Sequence, residues 1–169
     1  MPVRTLVSPE EYLKTSFEDG DREYVDGELV ERGMPTYLHG KTQALVCIRF
    51  ADLVKSRSVF AVTEVRHALD PGRLYRIPDI AVFADEEPTQ PVPVTPPLIA
   101  IEIASPDDRL VETLKKFEEY RRFGVAHIWL IDPEARKFYS YDKKSGLHPV
   151  SALHVPRFEL TITLSDLGL

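Results

Sequence analysis

Apolar and polar positions follow two periods along this chain, and the period changes at turn residues. Ser8-Pro9-Glu10-Glu11 opens a short helix to about Thr15: serine caps it, proline suits its first position, and Glu11 completes a capping box. Two apolar runs, Glu23-Tyr24-Val25 and Glu28-Leu29-Val30-Glu31, flank Asp26-Gly27, a strong hairpin signal. After a loop over Gly33 to Leu38, residues His39 to Lys55 read as one helix. Ala44, Cys47, Ile48, Ala51 and Val54 form its apolar face. Val59 to Leu69 alternates like a strand, Asp70-Pro71-Gly72 turns, and Tyr75 to Ala84 is the next strand. Asp85 to Pro97, with Pro88, Pro91, Pro93, Pro96 and Pro97, is neither helix nor inner strand and reads as a surface loop. Leu98 to Ala104 is a short apolar strand. Leu110 to Phe123 is a helix with a stripe of Leu110, Leu114, Phe117 and Tyr120 or Arg121, ended by Gly124. His127 to Ile131, Lys137 to Tyr141 and Phe158 to Leu164 complete the strands.

This order predicts an α/β fold: a mixed sheet flanked by helices, with an N-terminal helix and β-hairpin, built as a single domain over 1–169. No glycine-rich phosphate loop is present, which argues against a nucleotide-binding reading. The 169 residues are 43% hydrophobic and 28% charged, and the apolar runs are strand-sized, so no membrane segment is expected. The N-terminus has no apolar export core, and the one cysteine, Cys47, excludes an internal disulfide. Both point to the cytoplasm. Cys47 itself reads as a small core hydrophobe. A net charge of −6 lowers the expectation of nucleic-acid binding without excluding a local basic patch.

The chemistry concentrates in Tyr75 to Tyr120. Two apolar strands each carry one acid, Asp79 and Glu102, and an unpaired buried charge is costly. Carboxylate oxygens are natural ligands for Mg²⁺, or Mn²⁺ in its place, and neighbouring strands would bring two acids to one ion. The carbonyl of Ile103 is a candidate third ligand. Lys116, on the following helix, could orient a water or stabilise developing charge. Each residue also has a plain structural explanation: Asp79 as a strand-end acid, Glu102 as the partner of an arginine, Lys116 in an exposed pair with Glu112.

Taken together, the motifs resemble a known family. Pro78-Asp79, then Glu102-Ile103-Ala104-Ser105-Pro106, Lys116-x-x-x-Tyr120-x-x-x-Gly124-Val125 and Ile128-Trp129-Leu130-Ile131-Asp132-Pro133 are similar to the Uma-type putative restriction endonuclease family. That family belongs to the PD-(D/E)xK nuclease superfamily. The likeness also takes in Tyr24-Val25-Asp26-Gly27-Glu28-Leu29 and His39, and spans roughly Tyr24 to Tyr141. It implies a restriction-endonuclease-like core, Asp79 and Glu102 as metal ligands, and Lys116 as the catalytic lysine. The superfamily's usual lysine place, two residues after the second acid, is Ala104 here, so the lysine would have moved onto the helix. Lys115 competes with Lys116 for the role. His39 and Glu64 are accessory candidates, His39 with a competing reading as a surface or capping residue. Glu28 is a candidate edge-of-site acid, His127 reads as structural and Trp129 as core.

Two functions follow. One is a metal-dependent DNA endonuclease, working as a homodimer, with a basic track from Arg66, Arg73, Arg76, Arg109, Lys115 and Arg121. The alternative is a catalytically silent module of the same fold that binds a protein or nucleic-acid partner.

Overall fold

A computed structural model describes residues 6–169. Residues 1–5, part of the N-terminal stretch read for an export signal, lie outside the described residues. Helix α1 (Pro9–Lys14) has Ser8 as its cap, with the Glu11 amide donating to Ser8 Oγ at 3.2 Å. Strands β1 (Glu23–Val25) and β2 (Glu28–Val30) form the expected hairpin. Its corner residues have positive φ, 48° at Asp26 and 94° at Gly27, which is why Asp-Gly is favoured there.

The chain continues through α2 (Tyr37–Arg49), α3 (Ala51–Lys55), β3 (Val59–Thr63), β4 (His67–Asp70), β5 (Leu74–Arg76) and β6 (Ile80–Ala84). The second half is β7 (Ile99–Ile103), α4 (Leu110–Phe123), β8 (His127–Asp132), β9 (Lys137–Asp142), β10 (Gly146–Val150), β11 (Leu153–Val155) and β12 (Leu160–Ile162). No described helix is long and apolar enough to cross a membrane.

Four readings are corrected. The single helix over His39 to Lys55 is two, because the helical run stops at Phe50. Its buried face is His39, Thr42, Val46 and Phe50, while Ile48 is 63% exposed. Of the apolar set from Ala44 to Val54, Cys47 packs against the core as expected, but Ile48 and Val54 are exposed, so the set marks the inward face only in part. The strand over Val59 to Leu69 breaks at Glu64 (φ 56°), and Tyr75 to Ala84 breaks over Ile77-Pro78-Asp79. Each break moves the chain from one sheet to another.

The larger sheet has the order β10-β9-β8-β7-β6-β3, and the smaller β2-β1-β5-β4. Only β7 and β8 run parallel within the larger sheet, and α4 supplies the crossover they require. Strand β7 is central, so its side chains sort by alternation. Ile99, Ile101 and Ile103 pack in one core with Val46 and Phe50, while Ala100 packs with Phe117, Tyr120 and Ile128 on the α4 side. Leu110, expected in the α4 stripe, is 59% exposed; Phe117 and Tyr120 are buried. The smaller sheet closes on a tyrosine cluster of Tyr12, Tyr24 and Tyr75, with α1 contributing Tyr12. Helix α4 ends at Gly124, whose φ of 107° lets its amide turn back to Tyr120 and Arg121 carbonyls.

Candidate active site

The break over Ile77-Pro78-Asp79 puts Asp79 at the point where the chain enters β6. The antiparallel register of β6 and β7 pairs Ile80 with Ile101. Continued by one residue, it sets Asp79 opposite Glu102, on the same face of the sheet. Proline at 78 has no amide to donate to a ladder, so the break falls naturally there. The Asp79 carboxylate folds back across the strand ends instead: its Oδ2 accepts from the Ile103 amide at 2.6 Å.

Both carboxylates are held by donors from the chain. Asp79 Oδ1 accepts from Arg32 Nη2 at 2.8 Å, and Oδ2 lies 3.2 Å from His39 Nε2. Glu102 Oε2 accepts from Lys116 Nζ at 2.9 Å and Oε1 from Tyr120 Oη at 2.7 Å. Lys116 therefore points inward from α4, while its neighbour Lys115 is exposed. Lys116 Nζ also lies 2.7 Å from Glu23 Oε1 and 3.3 Å from the Ile77 carbonyl. Asp79, Glu102, Ile103, Lys116, Glu23, Arg32 and His39 all line one cavity of about 130 Å³. A wider groove of about 820 Å³ adjoins it and shares Arg32, His39 and Asp79.

His39 is buried rather than on the surface, and the reading of it as a mere capping residue is corrected. Thr36 Oγ1 caps α2 by accepting from the His39 amide at 3.1 Å, which leaves the imidazole to reach Asp79. Glu64 lines the groove, not the smaller cavity, and acts one step away. It pairs with Arg32, the same guanidinium that holds Asp79, and accepts from Gln43 Nε2 at 2.8 Å. Gln43 Nε2 also donates to the Asp79 carbonyl at 2.8 Å. Glu28 does not line the cavity, and Trp129 is buried in the core as expected.

Burial raises the Glu102 pKa to about 7; Lys116 pulls it down, and Asp79 and Glu23 push it up. Burial also acts to raise Glu23, but Lys116 and Arg76 outweigh it and hold that carboxyl down at about 2. Asp79 stays low against its burial, held by the His39 hydrogen bond and the Lys116 charge. The Asp79 hydrogen bond raises the His39 pKa. Burial disfavours the Lys116 ammonium, but the surrounding Glu102, Glu23 and Asp79 carboxylates raise its pKa overall.

The raised Glu102 value has a testable sign. The native chain keeps a proton that the unfolded chain releases near its ordinary value of 4.5. Stability from this group is therefore full below 4.5 and is lost as pH rises to about 7. In EDTA, Glu102→Gln should gain on wild type by about 2 kcal/mol between the two ends of that range, read by urea unfolding. Parallel profiles for the two proteins would show that Glu102 titrates normally.

In donor chemistry the site fits a hard divalent cation: two carboxylates and the Ile103 carbonyl, all oxygen. Asp79 Oδ1 and both Glu102 oxygens have one donor each and retain acceptor capacity, whereas Asp79 Oδ2 already has two partners. No group of three or more His, Cys, Asp or Glu side chains positioned to hold a metal occurs among the described residues, so the fit rests on two acids and backbone.

The basic track reads differently in three dimensions. Arg76 is 4% exposed and tied to Glu23 and Glu119. Arg66 is spent on Asp21 and on the Tyr12 and Thr15 carbonyls, Arg73 on Asp26, and Arg121 on Glu118. Arg109 and Lys115 form no ion pair among the described residues, and Arg109 lines the cavity.

The sequence matches the family described as "Uma2: Putative restriction endonuclease" over residues 9–166, the greater part of its length. The chain belongs to the Uma2 family. Its fold is similar to the crystal structure of a putative nuclease belonging to DUF820 from Anabaena variabilis ATCC 29413. The TM-score is 0.81 at 24% identity, covering 95% of this chain and 97% of that one. No match is found among curated proteins. The fold is thus the restriction-endonuclease-like mixed sheet flanked by helices. Asp79, Glu102 and Lys116 line one cavity, and Tyr120 holds Glu102 from the buried side.

Sequence reading missed Glu23 and Arg32. Glu23 lies next to Tyr24 in a three-residue strand and reads only as hairpin. Its one available signal is its place directly before the Tyr24-to-Leu29 segment of the resemblance. Arg32 sits in the connection after β2 and has no motif at all.

Proposed function

We propose that this chain is a metal-dependent endonuclease hydrolysing phosphodiester bonds of DNA. The observation that carries the reading is the meeting of Asp79, Glu102 and an inward Lys116 in one cavity, with Lys116 Nζ 2.9 Å from Glu102. Asp79, Glu102 and the Ile103 carbonyl would hold Mg²⁺, or Mn²⁺ in its place. A bound divalent cation supplies Lewis-acid polarisation of the phosphate and a more acidic water. The chain supplies the rest. Lys116 places a compact positive charge where a water is oriented and where negative charge develops on the phosphate. Tyr120 and the Ile103 amide fix the two carboxylates, and Arg32 with His39 keeps Asp79 ionised. Arg109, at the cavity, offers charge to the phosphates of a strand. Cutting both strands calls for two sites, which a symmetric homodimer provides. The cytoplasm is the compartment that the lone Cys47 suits.

One observation favours the second reading, a silent module that binds a partner. Every oxygen of Asp79 and Glu102 already has a donor or counter-charge from the chain.

Incubation of supercoiled plasmid with the purified protein in Mg²⁺, in Mn²⁺ and in EDTA separates the two readings. The nuclease reading expects nicked and linear plasmid with either metal and none in EDTA. Intact plasmid under all three conditions, from a protein that still melts cooperatively, would leave the silent module standing.

A further inference from the structure

Lys116 has more partners than a lysine serving Glu102 alone requires. An ammonium carries three donors. Three oxygens surround this one: Glu23 Oε1 at 2.7 Å, Glu102 Oε2 at 2.9 Å and the Ile77 carbonyl at 3.3 Å. If Glu102 were its sole anchor, any demand on that carboxylate would release the lysine.

Glu23 is the firmer of the two anchors. Its Oε1 also accepts from the Ile77 amide at 2.9 Å, and its Oε2 from Arg76 Nη1 at 2.7 Å. Arg76 Nε in turn donates to Glu119 Oε2 at 2.6 Å. Glu119 and Lys116 stand three residues apart on α4, so one helix grips both ends of the chain Lys116–Glu23–Arg76–Glu119. Glu23 comes from β1 and Arg76 from β5, adjacent strands of the smaller sheet. That sheet therefore reaches the site through this chain. The two acids and two bases balance. Lys116 is neutralised without Glu102, which is left as the one acid of the cluster beyond this balance.

We propose that Glu23 is a positioning residue: it holds the Lys116 ammonium in the cavity by itself, so that the Glu102 carboxylate is free to serve a divalent cation. This rests on the nuclease reading, and it assigns Glu23, Arg76 and Glu119 a part in that reaction without contact with substrate. When Glu102 turns to a cation, Lys116 remains with Glu23 and the Ile77 carbonyl, and one N–H is released toward water or phosphate.

Two measurements test it, one of which needs neither metal nor activity. Limited acetylation with acetic anhydride, read by fragment-ion mass spectrometry, gives the reactivity of Lys116 relative to Lys115 on the same helix. Glu23→Gln should raise that ratio about tenfold, and Glu23→Asp, which keeps the charge, should stay within about twofold of wild type. General loosening of α4 would raise both lysines together. An unchanged ratio in Glu23→Gln overturns the proposal. The second measurement is a double-mutant cycle on plasmid nicking. Glu23→Gln should lower kcat about 10²-fold with KM within about twofold, and should have no further effect in a Lys116→Ala background. Losses that multiply would overturn the proposal, because Glu23 would then be acting on the fold and not through Lys116. If wild type nicks no DNA with any metal, the nuclease reading falls, and the acetylation ratio alone decides whether Glu23 holds Lys116.

Discussion

Asp79→Ala should nick supercoiled plasmid at least about 10³-fold more slowly than wild type in Mn²⁺. Asp79 is the acid that the break before β6 delivers to the strand ends, opposite Glu102. Its removal takes one of two side-chain ligands from the proposed cation, leaves His39 without the carboxylate 3.2 Å away, and leaves Arg32, now 2.8 Å from Asp79, with Glu64 alone. The Ile103 amide, a buried donor 2.6 Å from Asp79 Oδ2, also loses its partner. An unsatisfied buried donor costs about 1–3 kcal/mol, so this variant should also melt earlier. Asp79→Asn keeps the shape and an oxygen for one of these donors, and separates the two effects. It should lose nearly as much activity with less loss of stability. Wild-type nicking by folded Asp79→Asn would remove Asp79 from the chemistry.

The second large effect is expected at Lys116. Lys116→Ala should lower nicking about 10²–10³-fold, the range for one preorganised charge at a developing anion. Lys116→Arg should not restore it, because a planar fork does not fit the compact nest of Glu23, Glu102 and the Ile77 carbonyl. Breaking a buried ion pair from one side costs about 3–5 kcal/mol, so Lys116→Met, which keeps most of the volume, serves as the folding control. Lys115→Ala, on the exposed face of the same helix, should stay within about twofold of wild type, since its side chain has solvent on that face. Plasmid relaxation rates for the four variants at matched thermal stability check this. Equal losses at Lys115 and Lys116 would mean that charge along α4 binds DNA and that neither lysine is placed for chemistry.

Local patterns made much of this fold legible. Ser8, Asp26-Gly27 and Gly124 each act within a few residues of themselves, and the elements they bound lie where the sequence puts them. The 14-residue α4 agrees to the residue because a capping glycine and a preceding polar loop mark both ends. Features that depend on partners far along the chain were not legible. Tyr75 to Ala84 is one apolar run, yet it belongs to two sheets, and only the pairings of β5 with β1 and β6 with β7 divide it. Helix α2 misled for a similar reason. Its apolar residues suggested one face, while the buried one carries His39 and Thr42 because the helix end abuts the site. Within the site, Asp79 and Glu102 stood out as acids in apolar strands. Glu23 did not: it is buried by Arg76 and Ile77, 53 and 54 positions away, and no local pattern announces such burial.

The central claim is that Asp79 and Glu102 together bind one divalent cation. Titration of Mn²⁺ into the metal-free protein, followed by calorimetry, tests it most directly, with wild type beside Asp79→Asn and Glu102→Gln. The account predicts saturable binding by wild type at about one ion per chain, and a loss of affinity of about tenfold or more in each variant. Equal Mn²⁺ affinity in wild type and both variants, or no binding by wild type at millimolar Mn²⁺, would contradict it.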